Sequence, residues 1–282
     1  MLFLSYLFYF ISATISPLWR RWLVKKNKVD EKSQIRFAFQ VAGIMSFLGL
    51  LLPFFKPFSL HGNVQNLIVL SIVSGVFGAL CFIFGFLGSK GMEAGIFTIV
   101  SNIYTPITII LASFLLNEKL TFMQIIGTLL LLIGMVIVSK KHRIDKFKFD
   151  RYFMYSLLSG ATLGVSLVAE RGLQKITGFT AGTLLSWWSQ FLILGVIALF
   201  FSAKNEYSKK NTAITGGLRF LQYLSWAILT VVVGNLSIVS SITTFKIVVV
   251  FIAAAIFLRE RDDIQRKITG SLIALIGLLL SQ

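Results

Sequence analysis

Ten apolar runs follow one another along this 282-residue chain, at about 2–19, 35–55, 66–88, 92–116, 121–139, 152–170, 182–202, 216–233, 236–258 and 264–281. Charge, Gly, Pro or Asn bounds each run. A bilayer-crossing helix needs ~20 largely apolar residues, because the hydrocarbon core is about 30 Å thick and a helix rises about 1.5 Å per residue. Ten such helices use about 200 residues and leave roughly 80 for loops and ends, which excludes a water-soluble catalytic domain. The least marked division falls between the eighth and ninth runs, where Gly234 and Asn235 offer a turn without any charge.

Composition agrees with a membrane solvent. Apolar residues make up 56% of the chain and Asp, Glu, Lys and Arg only 13%, whereas a soluble domain carries about 25% charge. The net charge of +16 comes from 27 basic against 11 acidic residues. On a soluble domain that surplus would suggest nucleic acid. Here the basic residues cluster between apolar runs, where anionic lipid headgroups and orientation during insertion account for them, and no nucleic acid is expected. The one cysteine, Cys81, lies inside an apolar run, can form no intrachain disulfide, and reads as a small packing residue. The first run opens directly as Met1-Leu-Phe-Leu-Ser-Tyr, without a basic leader region, and reads as a retained helix.

The most polar linker, 140–151, divides the chain into five runs and five. The halves, 1–139 and 152–282, resemble each other. Ala112-Ser-Phe-Leu-Leu-Asn-Glu118 is followed by Gly127 and Gly134, and Ala254-Ala-Ile-Phe-Leu-Arg-Glu260 by Gly270 and Gly277. Glycines seven residues apart lie nearly two turns apart on one helix face, where they let another helix approach closely. Ser12-Ala-Thr14 matches Gly160-Ala-Thr162, and Arg21-Trp-Leu-Val-Lys25 loosely matches Arg171-Gly-Leu-Gln-Lys175. An odd number of spans per copy turns the second copy upside down. The expected fold is therefore an all-α integral membrane protein, ten helices in two inverted five-helix repeats around a central cavity, with a site near the midplane.

The stretch from Leu87-Gly-Ser-Lys-Gly-Met-Glu-Ala-Gly95 through Tyr104-Thr-Pro106, and on through Asn117-Glu118-Lys-Leu-Thr-Phe-Met-Gln-Ile-Ile-Gly127 to Gly134, resembles the EamA repeat of the drug/metabolite transporter superfamily. The second copy matches less well and lacks the proline corresponding to Pro106. The resemblance implies a secondary carrier of small organic solutes, with a cavity lined by the first, third and fourth helices of each repeat. It fixes no substrate.

Lys246 lies roughly ten residues inside an apolar run. A lysine at that depth costs on the order of 3 kcal/mol, so it should face a watery cavity or a partner, or snorkel to an interface. Aligning the repeats on Glu118 and Glu260 sets Lys246 opposite Tyr104. Phosphate- and nucleotide-sugar-carrying members of the superfamily look similar in having a basic residue on this helix, which implies that Lys246 meets a phosphate or carboxylate. Helical spacing places Thr243 on the face of Lys246, and Ser101 and Thr108 on the face of Tyr104. These five are the candidate substrate-binding residues, although membrane hydroxyls also bond their own helix. Pro106 is expected to kink the fourth helix and free a carbonyl. Glu170 and Arg171, at the apparent end of the sixth run, are candidates for a gate or a proton-linked counter-charge to Lys246, or else mark the interface. Arg20 and Arg21 carry the same alternatives at the end of the first run. Trp187 and Trp188 read as an aromatic belt.

Other chemistries lack their residues. There is no G-x-x-x-x-G-K-[ST] phosphate loop for ATP. His61 and His142 sit in different loops and form no metal-ligand spacing. No nucleophile and base pair up, so no enzyme, cofactor or metal is expected. Alternating loops place 22 basic residues on one side and four on the other, which puts both chain ends outside by the positive-inside rule. The family resemblance implies the reverse. The expectation is a carrier or exchanger of a small polar metabolite, as monomer or homodimer, in a bacterial cytoplasmic (inner) membrane, with a proton or counter-substrate as coupling partner. The alternatives are an exporter of amino acids or drug-like compounds and a component of a lipid-linked-sugar flippase.

Overall fold

The computed structural model describes residues 2–27, 29–116, 121–139, 150–243, 246–259 and 264–280. The repeat markers Glu118 and Glu260, their neighbours Lys119 and Arg261, His142 and most of the 140–151 linker lie outside the described residues. Among those described, every regular element is helical. In chain order they are α1 (Leu2–Lys26), α2 (Glu31–Gly49), α3 (Val64–Gly91), α4 (Ala94–Ser101), α5 (Tyr104–Leu115), α6 (Phe122–Ser139), α7 (Arg151–Thr177), α8 (Phe179–Phe201), α9 (Lys209–Val233), α10 (Leu236–Thr243), α11 (Lys246–Phe257) and α12 (Ile264–Leu280). A short 3-10 turn, Leu52–Phe54, follows α2.

Local chemistry sets the helix starts and stops. Asp30, Asn63, Asp150 and Ser208 precede α2, α3, α7 and α9, and each side-chain oxygen accepts a backbone N–H of the first turn. Gly178 (φ +83) separates α7 from α8, and Gly234 (φ +78) ends α9 in the left-handed region where glycine carries no Cβ penalty.

Among the described residues six helical stretches are long and apolar enough to cross a membrane: Glu31–Phe54, Val64–Gly91, Ala94–Leu115, Arg151–Thr177, Phe179–Phe201 and Lys209–Val233. Phe3, Phe47, Phe114, Leu199 and Phe200 are more than half exposed on outer faces, as a lipid solvent requires. The chain is an integral membrane protein.

Three boundaries differ from the sequence reading. The fourth run is two helices, α4 and α5, interrupted at Asn102 and Ile103. α7 continues to Thr177, so Glu170 and Arg171 lie inside a helix and are buried. α9 begins at Lys209, seven residues before the eighth run, which sets Arg219 about three turns inside a helix instead of near its start. Small residues allow the closest helix approaches. A Cβ on Gly134 of α6 would stand 2.6 Å from the Gly270 carbonyl of α12, and one on Gly160 of α7 2.1 Å from the Ser101 carbonyl at the α4–α5 break. Trp187 is fully buried, packed edge-on to Phe220 and Tyr223, so it is core and not part of an interfacial belt.

Candidate functional site

α1, α4, α5, α7, α9 and α11 surround a cavity of about 80 Å³. Each helix turns one face to it: Tyr9, Ala13 and Arg20 from α1; Ser159, Leu163 and Leu167 from α7; Arg219, Gln222, Tyr223 and Trp226 from α9. The spacings of three, four and eleven residues keep each set on one helical face. Phe97, Thr98 and Ser101 of α4, Tyr104 of α5 and Lys246 of α11 complete the wall, with Cys81 from α3.

Lys246 is the first residue of α11 and is 9% exposed. Its ammonium donates to the Tyr9 hydroxyl at 3.1 Å and to the Tyr104 hydroxyl at 3.4 Å. It also stands 4.7 Å from the Tyr104 ring centre, a cation–π contact. Two further cations share the cavity. Arg20, 4% exposed, lies over the Phe86 and Phe97 rings and reaches the Gly85 carbonyl at a long 3.5 Å. Arg219, 8% exposed, lies against Phe82, Phe86 and Tyr223 and donates to the Gln222 amide oxygen at 3.4 Å. The Nε atoms of both arginines are buried without a hydrogen-bond partner. Among the described residues no carboxylate lies within ion-pair distance of Arg20, Arg219 or Lys246. Three buried cations with aromatic backing and no counter-charge leave a positive cavity, a costly arrangement for a fold unless an anion completes it.

The sequence candidates divide. Lys246, Tyr104 and Ser101 line the cavity. Thr243 and Thr108 are buried behind it. The Thr243 hydroxyl donates to the carbonyls of Val239 and Ser240, at 2.6 and 3.1 Å, and Thr108 Oγ1 has no partner. Pro106 falls in the first turn of α5, just after the break, so its missing N–H interrupts a helix already interrupted. The Asn102 carbonyl four residues before it is taken by the Thr105 N–H at 3.0 Å, which corrects the expectation of a freed carbonyl.

Glu170 is no counter-charge to Lys246. It sits outside the cavity, 4% exposed, and accepts from the Ser186 hydroxyl at 3.0 Å and the Gln174 amide at 3.4 Å. Ser186 continues to Ser74 at 2.6 Å and receives the Gln190 amide at 3.0 Å, which extends a neutral polar chain across α3, α7 and α8. Arg171 donates to the Gly234 carbonyl at 3.0 Å, capping the end of α9. Arg21 does the same for α3, donating to the Lys90 carbonyl at 2.9 Å. Sequence reasoning missed Arg219 and left Arg20 ambiguous. The signal available was Arg219, Gln222, Tyr223 and Trp226 at helical spacing, a polar-aromatic stripe in an otherwise apolar run. Among the described residues no group of three or more His, Cys, Asp and Glu comes together to hold a metal.

The match of its first half to a transporter family makes this membrane protein a transporter. The chain belongs to the EamA-like transporter family through its first half, residues 2–140, which the family's model matches. A solved structure described only as "Crystal structure of protein" is 14% identical to the chain, covers 98% of it and is covered over 97% of its own length, with a TM-score of 0.65. That likeness gives the whole chain the fold of the solved structure. No curated protein matches.

Proposed function

We propose that this transporter carries a small organic anion, bearing a phosphate or carboxylate, by alternating access through the cavity around Lys246. The observation that carries the reading is the set of three buried cations, Arg20, Arg219 and Lys246, facing one cavity without a carboxylate. Arg20 and Arg219 supply planar donors for an anion, and the Tyr9 and Tyr104 hydroxyls hold the Lys246 ammonium among them. Metabolite pockets hold roughly 300–1,000 Å³, so a solute enters the 80 Å³ space only when the surrounding helices part.

Ten spans in two inverted repeats, 1–139 and 152–282, supply that motion, and several exchange-related contacts support the division. The third helix of each half packs on the first helix of the other, α3 on α7 and α9 on α1, while α6 packs on α12. Arg21 and Arg171, matched in the sequence, each cap the third helix of their own half. Lys25 donates to the Leu258 carbonyl and the matched Lys175 to the Leu116 carbonyl, both at 3.3 Å, so each ties the first helix of its half to the fourth run of the other. These ties close both ends of the path, and breaking one set opens one side.

Glu170 occupies the position in the second repeat that Arg20 occupies in the first. A carboxyl buried among hydroxyls and amides is placed to exchange a proton as the helices move, which would couple transport to a proton gradient. Thermal unfolding of the purified protein with sugar phosphates, nucleotides, dicarboxylates, amino acids and cationic drugs tests the reading. Stabilisation by one or more anions is expected; stabilisation by cations alone would overturn it.

A further inference from the structure

A second recess, of about 1040 Å³, opens on the outer surface between α2, α8 and the start of α9. Its two ends differ in chemistry. One end lies at the α8–α9 loop and carries Arg36, Lys204 and Lys209, with Gln40, Asn205 and Thr212 between them. The other runs down the lipid-facing surface along Ile44, Phe47 and Phe191. Phe39 and Phe191 stack with ring centres 5.1 Å apart, and Phe47 meets Phe191 edge-on at 5.9 Å, which gives the lower part an aromatic floor. Gly43 lets the Phe191 ring lie directly on the α2 backbone, since a Cβ there would stand 3.0 Å from that ring.

The polar end is built, not a chance gathering of loop side chains. The Ala203 N–H donates to the Lys32 carbonyl at 3.2 Å, the Glu206 N–H to Ser33 Oγ at 3.1 Å, and the Gln34 amide to the Tyr207 hydroxyl at 2.6 Å. Asn205 donates to Gln40 and, at 3.3 Å, to Thr212. These bonds pin the loop to α2 and α9. Burial pushes the Tyr207 hydroxyl up to about 12, so it stays neutral and adds no negative charge to the mouth. Among the described residues no acidic side chain lines the recess, although Glu206, next to Tyr207 in the loop, raises that hydroxyl as a lesser cause than burial.

We propose that this recess is a binding site for an anionic phospholipid, whose phosphate sits among Arg36, Lys204 and Lys209 while an acyl chain lies along Phe47 and Phe191. Charge complementarity selects the headgroup, and the apolar length leading from it into the bilayer selects a lipid over a soluble anion. A generally basic membrane face attracts anionic lipid without a fixed position; a recess with a pinned cationic mouth and an aromatic floor holds one molecule.

Native mass spectrometry of the full-length protein, with dioleoyl phosphatidylglycerol and dioleoyl phosphatidylcholine offered in equal amounts, tests the site. One phosphatidylglycerol retained in at least fivefold preference over phosphatidylcholine is expected. The preference should fall to near unity in the double variant Lys204→Gln/Lys209→Gln, both exposed positions where folding is not at stake. It should survive Lys26→Gln/Lys90→Gln on the same basic side, and millimolar inorganic phosphate should not displace the lipid. Equal retention of both lipids, an equal loss in the two double variants, or displacement by inorganic phosphate alone would each overturn the proposal.

Discussion

Lys246 donates a hydrogen bond to the hydroxyl of Tyr104 at 3.4 Å across the central cavity, and the two residues occupy matched positions in the two halves of the chain. Each opens a twelve-residue helix, α11 and α5 respectively. In the inverted-repeat arrangement proposed above, matched positions that touch lie close to the axis relating the halves. A charge on one copy and a phenol on the other therefore put one cation at the centre, held by its own counterpart. That placement is costly for stability and useful for function. Lys246→Met should leave the unfolding temperature in the absence of ligand unchanged or raised, because a buried ammonium is replaced by a side chain of similar length. It should abolish stabilisation by anions. A thermal-unfolding series with and without ligand separates the two effects.

Gly160 tests how the break between α4 and α5 is held. A Cβ at this position meets the Ser101 carbonyl at 2.1 Å, and backbone cannot move aside as a flexible side chain does. Gly160→Val should destabilise the protein by about 1–3 kcal/mol through overpacking. Gly217→Ala in α9, where nothing lies within 4 Å, should be neutral or stabilise by up to about 1 kcal/mol. Urea or thermal unfolding of both variants checks the contrast.

Glu170 separates proton coupling from simple packing. Glu170→Gln keeps an acceptor for the Ser186 hydroxyl, so stability should change by less than about 1 kcal/mol, while transport in proteoliposomes should lose its response to a pH gradient. Glu170→Leu removes one acceptor each from the Ser186 hydroxyl and the Gln174 amide inside a buried polar chain and should cost about 1–3 kcal/mol. A Glu170→Gln protein that still responds to the gradient removes Glu170 from the coupling step.

The charge distribution makes a prediction about orientation. Arg20 and Arg219, counted with the basic side from the sequence, are buried in the cavity, and the excess on that side survives their removal. A topology reporter fused after Gln282 should be active on the outside; activity on the cytoplasmic face would contradict the positive-inside reading.

Periodicity located the helices because a bilayer demands long apolar runs, and the same criterion hid part of the site. A hydropathy reading ends a run at the first charge, so Arg20 and Glu170 fell at apparent boundaries although α1 and α7 extend past them, and Arg219, three residues into its run, was counted with the loop charges. Lys246 escaped because apolar residues flank it on both sides. The match of Lys246 with Tyr104 was legible because Ala112–Glu118 and Ala254–Glu260 fix the register of the halves. The burial of Trp187 was not legible, since it depends on Phe220 and Tyr223 from a helix far along the chain.

The central claim is that three cations in one cavity select an anion. The affinity of the best-stabilising anion, measured by titration calorimetry on the wild-type protein and on Arg20→Gln, Arg219→Gln and Lys246→Gln, tests it most directly. Each hydrogen bond to a charged group is worth about 1.5–3 kcal/mol, so each substitution should weaken binding by roughly 10- to 150-fold. Affinities that stay within about twofold of wild type in all three variants would contradict the account.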